Sequence, residues 1–248
     1  MNRSLVAGAA LLIIAPLALA TEREVDEFDA VKYALPFEVE FVAADTPYVR
    51  LEGDEDTIDE IVTEVDAGTL KIYKEDTWFD FSDEEVLVTV GYTQLSNLSM
   101  SGSGDGYAED LESDELTLKV AGSADLEIDR LSCNDLFISI AGSGDIHLNE
   151  LEADTMQTKI AGSGSVEVIG RVVSQKISIA GSGDHIAREL RSQEADVSVA
   201  GSGDVEVWAM ASLNAKVVGS GDIAYYGTPK VHEQIIGSGD LQHRGDEP

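Results

Sequence analysis

A tetrapeptide, Gly-Ser-Gly-Asp or a one-residue variant of it, recurs eight times between residues 102 and 240, each copy 18 to 20 residues after the last. The copies open at Gly102, Gly122, Gly142, Gly162, Gly181, Gly201, Gly219 and Gly237. Self-similarity at this period is the signature of a solenoid, in which each coil is one supersecondary unit stacked on its neighbour.

The unit is legible when the copies are superposed. Two residues before the first glycine stand Val120, Ile140, Ile160, Ile179, Val199, Val217 and Ile235, and one residue after the Asp place stand Leu126, Ile146, Val166, Val205, Ile223 and Leu241. Apolar and polar residues alternate around them. Period-two alternation rich in β-branched residues marks half-buried strands, so each repeat reads as strand, glycine-rich corner, strand. A second corner is expected near Leu131, Leu151, Leu190 and Met210. The pattern predicts an all-β fold, a single-chain parallel β-helix with 18–20 residues per coil. Right-handed winding is the general rule for parallel crossovers. Eight corners stacked at the strand spacing give a rod of about 35–40 Å.

The corner residues follow from stacking. Serine holds the second place in every copy, among them Ser103, Ser143 and Ser202, so eight hydroxyls fall in one column and could form a hydrogen-bonded ladder. The first glycine, as at Gly102, Gly142 and Gly201, reads as a place of positive φ or close backbone approach. The third place admits Ala124, so the second glycine reads as less constrained. Stacked aspartates, including Asp105, Asp145 and Asp204, repel one another unless they cap turn N–H groups or share cations. Capping is the leading account, because Ser165 in that column can cap a turn but is a poor metal ligand. At one corner the order reverses, Asp184-His185-Ile186 against Asp145-Ile146-His147. Either a bulge or a buried neutral His185 is expected there.

Residues 1–20 carry Arg3, an apolar run and the close Ala18-Leu19-Ala20, which read as a secretory signal peptide cut before Thr21. The run is too short for a stable membrane span, so no transmembrane segment is expected in the mature chain. The domain plan is residues 21–100 as an N-terminal β cap and first coils, 101–241 as the repeats and 242–248 as a tail. Alternating stretches at 37–42, 48–51, 69–73 and 86–90 read as strands of the cap, with a short helix over residues 58–62. The lone thiol, Cys133, has no internal disulfide partner.

The chain carries 48 acidic against 16 basic residues, a formal charge of −32. Such an acidic chain disfavours nucleic acid and anionic membrane as partners.

Phe28-Asp29-Ala30-Val31, Pro36-Phe37-Glu38-Val39, Val49-Arg50-Leu51-Glu52-Gly53-Asp54-Glu55 and Gly68-Thr69-Leu70-Lys71-Ile72 precede Leu95-Ser96-Asn97-Leu98-Ser99-Met100-Ser101-Gly102-Ser103-Gly104-Asp105. This order of blocks resembles the head GIN domain family, named for auto-transporter adhesins. The resemblance covers nearly the whole mature chain and implies a β-helical protein of the envelope or surface. With Pro248 last, an outer-membrane barrel after the repeats is not expected.

Three function classes follow. The leading one is a non-enzymatic, exported module of the envelope or surface, periplasmic or extracellular, adhesin-like in binding or structural in role. Its partner would be an unknown protein or glycan, with Trp208, Tyr225 and Tyr226 as candidate contacts. The second is a calcium-dependent β-roll, whose repeats differ in spacing from these. The third is a carbohydrate-active β-helix enzyme, disfavoured because the Lys and Arg residues read as scattered and because His147, His185, His232 and His243 fall on separate coils. No catalytic set, metal site or cofactor is read from the residues, and the oligomeric state is open.

Overall fold

The computed structural model describes residues 19–75 and 86–248. The first strands are β1 (Leu19–Glu24), β2 (Ala30–Ala34), β3 (Val39–Ala43) and β4 (Tyr48–Gly53). The helix α1 (Glu55–Asp59) and strands β5 (Ile61–Asp66), β6 (Thr69–Lys74), β7 (Leu87–Tyr92) and β8 (Asn97–Gly102) follow. The repeats form long bent strands, β9 (Gly106–Gly122), β10 (Leu126–Gly142), β11 (Ile146–Gly162), β12 (Val166–Gly181), β13 (His185–Gly201) and β14 (Val205–Gly219). The last coil is shared among β15 (Ile223–Tyr226), β16 (Lys230–Gly237) and β17 (Leu241–Gly245). The result is a β-solenoid of about 7 turns.

Coils pair in parallel and in the register of the repeat, Leu126 with Ile146, Ile140 with Ile160, Gly142 with Gly162. Inward side chains form columns through the core. In β10 the buried residues are Leu126 and Ile128, then Leu131 and Cys133, then Leu136, Ile138 and Ile140. Between these groups the alternation skips at Asp129 and Arg130 and again at Asn134 and Asp135. Each coil therefore has three faces, the first at 126–128, the second at 131–133 and the third at 136–141. The expected second corner is displaced by this geometry. Leu131, Leu151 and Leu190 point into the core, and the chain turns at the outward pair just before each. In β14 the inward residue is Ala209, with Met210 only half-buried.

The coils change length at the corners. Register shifts lie between Leu148 and Leu151, between Glu167 and Gly170, and between Ala187 and Arg191, all at the corner after the first face. A further shift between Ser192 and Glu194 lies at the corner between the second and third faces. The third face and the Gly-Ser-Gly corner stay in register throughout.

The N-terminal cap does not simply continue the rod. On the third face β2 lies between β6 and β8, and on the first face β3 lies between β7 and β9. The earliest coil in sequence is thus enclosed by two later ones. Antiparallel strands then terminate the stack: β4 pairs with β7 and β1 with β4 on the first face, and β5 with β6 on the third. The helix begins earlier than expected, because the Asp54 side chain accepts from the Thr57 N–H at 3.0 Å and starts it at Glu55. Arg23 of β1 donates to the Ile58 and Ile61 carbonyls at 3.0 and 2.6 Å, which ties β1 to the helix C-terminus and the start of β5.

At the opposite end, β16 pairs with β14 and β17 with β15. Among the described residues neither strand has a second ladder partner. Of the expected leader, only Leu19 and Ala20 fall among the described residues.

Candidate functional site

The Gly-Ser-Gly-Asp corners stack in a single column. Each Asp Oδ1 accepts the backbone N–H of the equivalent residue one coil on: Asp105 from Asp125 at 3.0 Å, Asp125 from Asp145 at 2.8 Å, Asp145 from Ser165 at 2.7 Å. The chain of bonds resumes with Asp184, Asp204 and Asp222, each accepting at 2.8 Å. The carboxylates cap backbone donors of the next coil, which offsets their mutual repulsion. Among the described residues no group of three or more His, Cys, Asp or Glu side chains is placed to hold a metal ion.

The serine column does something other than expected. Its backbone N–H groups bind the preceding coil, as Ser143 N to the Gly122 carbonyl at 2.8 Å. The corner hydroxyls form no ladder, so the aspartates supply the side-chain ladder instead. The glycines also divide the work differently. Gly142 has φ 141°, and a Cβ there would lie 2.3 Å from the Gly122 carbonyl oxygen. Gly144 has no positive φ, yet a Cβ would lie 2.0 Å from the Ala124 carbonyl oxygen. The third place is thus held to glycine by coil-to-coil approach, with Ala124 the exception.

Trp208 and Tyr226 are register partners on β14 and β15. The Trp208 ring has the Arg191 guanidinium 5.8 Å from its centroid. Tyr225 occupies an inward column opposite Val207 and stacks on His243 with ring centroids 4.9 Å apart. The three aromatics therefore do not share one surface: Tyr225 helps close the core end, while Trp208 and Tyr226 adjoin across a ladder.

His185 stacks in line between Val166 and Val205 without a bulge, and it is fully buried. Neither ring nitrogen has a hydrogen-bond partner, and burial pushes its pKa down to about 3. It is neutral at physiological pH. Burial, with a smaller contribution from Asp135, pushes the Cys133 thiol up to about 11. A thiol so placed has little thiolate to act as a nucleophile. A shallow groove of about 1060 Å³ passes Cys133 along the corner between second and third faces, and Glu112, Asp114, Glu115, Glu152 and Asp154 line it.

The basic residues are not scattered in space. Arg50, Arg130, Arg171 and Arg188 each meet a carboxylate. Lys32, Lys119, Lys159 and Lys216 stand in a single outward column of the third face, and Lys176 stands in the column beside it. The signal was present in the repeat. Ser99, Lys119, Ser139, Lys159, Ser178, Ser198 and Lys216 each stand three residues before a corner glycine.

Such a molecule is a filled β-solenoid that carries ladders of equivalent residues on its outside. The chain belongs to the family described as "Putative auto-transporter adhesin, head GIN domain", which it matches over residues 27–229. It is similar to a crystal structure titled "Putative lipid binding protein" from Parabacteroides distasonis, at 29% identity and TM-score 0.86, with 92% of this chain and 97% of that one covered. A second structure from that organism, titled a "putative adhesin", shares 26% identity at TM-score 0.86, covering 91% and 96% of the two chains. A "putative adhesin" from Parabacteroides merdae, at 22% identity, TM-score 0.83 and coverage of 92% and 96%, shares the fold. No curated protein matches the chain.

Proposed function

We propose that this chain is an exported, non-enzymatic module of the bacterial cell envelope or surface, which binds a partner along its outward faces. The observation that carries this reading is repetition. Every coil presents the same outward positions at the strand spacing, whereas catalysis needs one unique constellation of groups. The names of the family and of the similar P. distasonis adhesin support an adhesive rather than catalytic role. A lipid, as in the name of the other P. distasonis structure, would have to lie outside, since aliphatic columns fill the interior of this solenoid. The leader read in residues 1–20 supports export. No helix among the described residues is long and apolar enough to cross a membrane.

The test is to follow a tagged chain through cell fractionation and to screen the purified protein against envelope polymers and host glycans. Recovery outside the cytoplasm with saturable binding and no turnover of any ligand is expected. Retention in the cytoplasm, or release of hydrolysis or elimination products from a bound polymer, would overturn the reading.

A further inference from the structure

Resting on the binding-module reading above, we propose that the third face of the solenoid is a binding site for a linear anionic glycan, a polysaccharide bearing carboxylate, sulfate or phosphate groups along one strand. The registers define one column outward of this face. Lys32 pairs with Ser99, Ser99 with Lys119, Lys119 with Ser139 and Ser139 with Lys159. From there the column runs through Ser178 and Ser198 to Lys216. Lys32, Lys119 and Lys159 thus recur every second strand, about 9.6 Å apart. Lys176, in register with Gln157 of the neighbouring column, adds a cation between Lys159 and Lys216.

These five lysines are exposed, and among the described residues none forms an ion pair with a carboxylate; Lys32 alone, beside Lys71 at the end of the column, feels the charge of Asp66. In a chain with three times as many acids as bases, that arrangement is improbable for an ordinary solvated surface. From β2 to β14, the only carboxylate in an outward position of this face is Asp196. The acids are placed elsewhere, on the first face at Glu40, Glu127, Glu167 and Glu206, along both rims of the third face, and beyond β2 on β5, where Glu64 and Asp66 are taken up by Lys71.

Those rims decide the kind of partner. On one side runs the Asp column of the Gly-Ser-Gly-Asp corners, and on the other stand Glu115, Asp135 and Glu194. The face between them is about 16 Å wide, five residues at the strand rise. An anionic bilayer or a nucleic-acid duplex would press its phosphates against both acidic rims. A single polymer chain can lie between them, parallel to the solenoid axis, with its anions on the lysines. Screening over about 8 Å at physiological salt weakens the distant acids more than the contacting lysines.

The neighbouring groups suit a sugar polymer. Ser99 and Ser139 alternate with the lysines, Ser178 and Ser198 follow together before Lys216, and Thr117, Gln157 and Asn214 stand in the next column, offering donors and acceptors for hydroxyls. Phe137 is half-buried in that same column, with Lys159 Nζ 5.2 Å from its ring centroid. Its ring offers an apolar platform for a sugar face beside a cation. On the other side Ala121, Ala141, Ala161, Ala180 and Ala200 form a low, flat strip. A polymer can approach the lysines there without obstruction.

The experiment titrates the protein with polygalacturonate oligosaccharides by calorimetry, with a neutral glucan of equal length, anionic phospholipid vesicles and a DNA oligonucleotide as competing probes. Two triple variants, Lys119→Gln/Lys159→Gln/Lys216→Gln and Lys119→Arg/Lys159→Arg/Lys216→Arg, are titrated beside it after their melting curves are matched to the parent. The parent is expected to prefer the anionic glycan, to lose affinity as salt rises, and to weaken about tenfold or more in the Gln variant with a shallower salt dependence. The Arg variant should retain binding. Equal affinity in the Gln variant, equal binding of the neutral glucan, tighter binding of vesicles or DNA, or no binding of the anionic glycan by the parent would overturn the proposal. Attachment of the Gln variant to envelope material is measured separately. Unchanged attachment would overturn the lysine site and leave the module reading standing, whereas no attachment even by the parent would overturn the module reading.

Discussion

His185 stands where the coils on either side place Val166 and Val205, and its two unpartnered ring nitrogens give the core an acid-sensitive point. Its folded-state pKa, pushed down to about 3, lies below the ordinary histidine value of about 6.5. The unfolded chain therefore binds the proton first. The stability is present above about pH 6.5 and is lost as pH falls toward 3, at up to about 1.4 kcal/mol per unit. Between pH 7 and 4.5, His185→Val should lose about 2–3 kcal/mol less stability than the parent, measured by urea unfolding at both pH values. An identical acid loss in the variant would assign the titration to other groups. The corner makes a second contrast. Asp145 Oδ1 accepts from both the Ser165 N–H and hydroxyl, so Asp145→Ala should cost about 1–2 kcal/mol. Ser143→Ala removes a hydroxyl without a partner and should stay within about 0.5 kcal/mol. Gly142→Ala meets both the positive φ and the Gly122 carbonyl, and should cost about 2 kcal/mol or more. The order of the three in chemical unfolding is the measurement.

Among the elements, the two ends of the stack are closed by different means. At the N-terminal end, antiparallel β1, β4 and β5 end the parallel ladders, and Arg23 ties β1 to the carbonyls of Ile58 and Ile61. At the C-terminal end β16 presents an edge, with Val231 40% and Ile236 56% exposed. Exposed edges pair with other chains unless something blocks them. Glu233 serves that purpose: it is in register with buried Ala215, in an inward column, so a second strand laid on β16 would enclose its carboxylate. Enclosing an unpaired carboxylate is costly. Glu233→Val should therefore raise self-association of the folded protein, read as a concentration-dependent shift in light scattering. A variant that stays at the parent's mass over the same range would show that β16 is protected by other means.

At the scale of the whole molecule, the aspartate column runs nearly the length of the repeats, so the choice between capping and cation binding is a choice about what stabilises the rod. Six of the carboxylates each accept a backbone N–H of the next coil. On the capping account the fold is expected to be indifferent to calcium. Chelator should leave the melting temperature within about 2 °C, because no site linked to folding is emptied. A calcium site filled at about 100 times its Kd would add roughly 2.7 kcal/mol, and a corresponding rise in melting temperature with calcium would overturn the capping account.

The repeat itself determined the architecture. A corner every 18 to 20 residues with alternation on both sides admits only stacked coils, since each strand's apolar side must find the same side of the next. Four strands of the cap, β3, β4, β6 and β7, were legible for the same reason, whereas β1, β2, β5 and β8 were not, and the start of β5 reads as helix in the sequence. The reversed order around His185 marked its burial. Three features depended on tertiary structure. The count of faces rested on outward pairs such as Asp129 and Arg130, where alternation skips; a corner is set by how the backbone closes on itself, and the buried Leu131 beside it carries no mark of that. The enclosure of β2 and β3 between later coils is a long-range pairing that no local pattern encodes. The lysine column was present at a fixed place before each corner, yet Lys32, Lys119, Lys159 and Lys216 are far apart in sequence. Only the register of the ladders brings them onto one face and sets the acids around its rims.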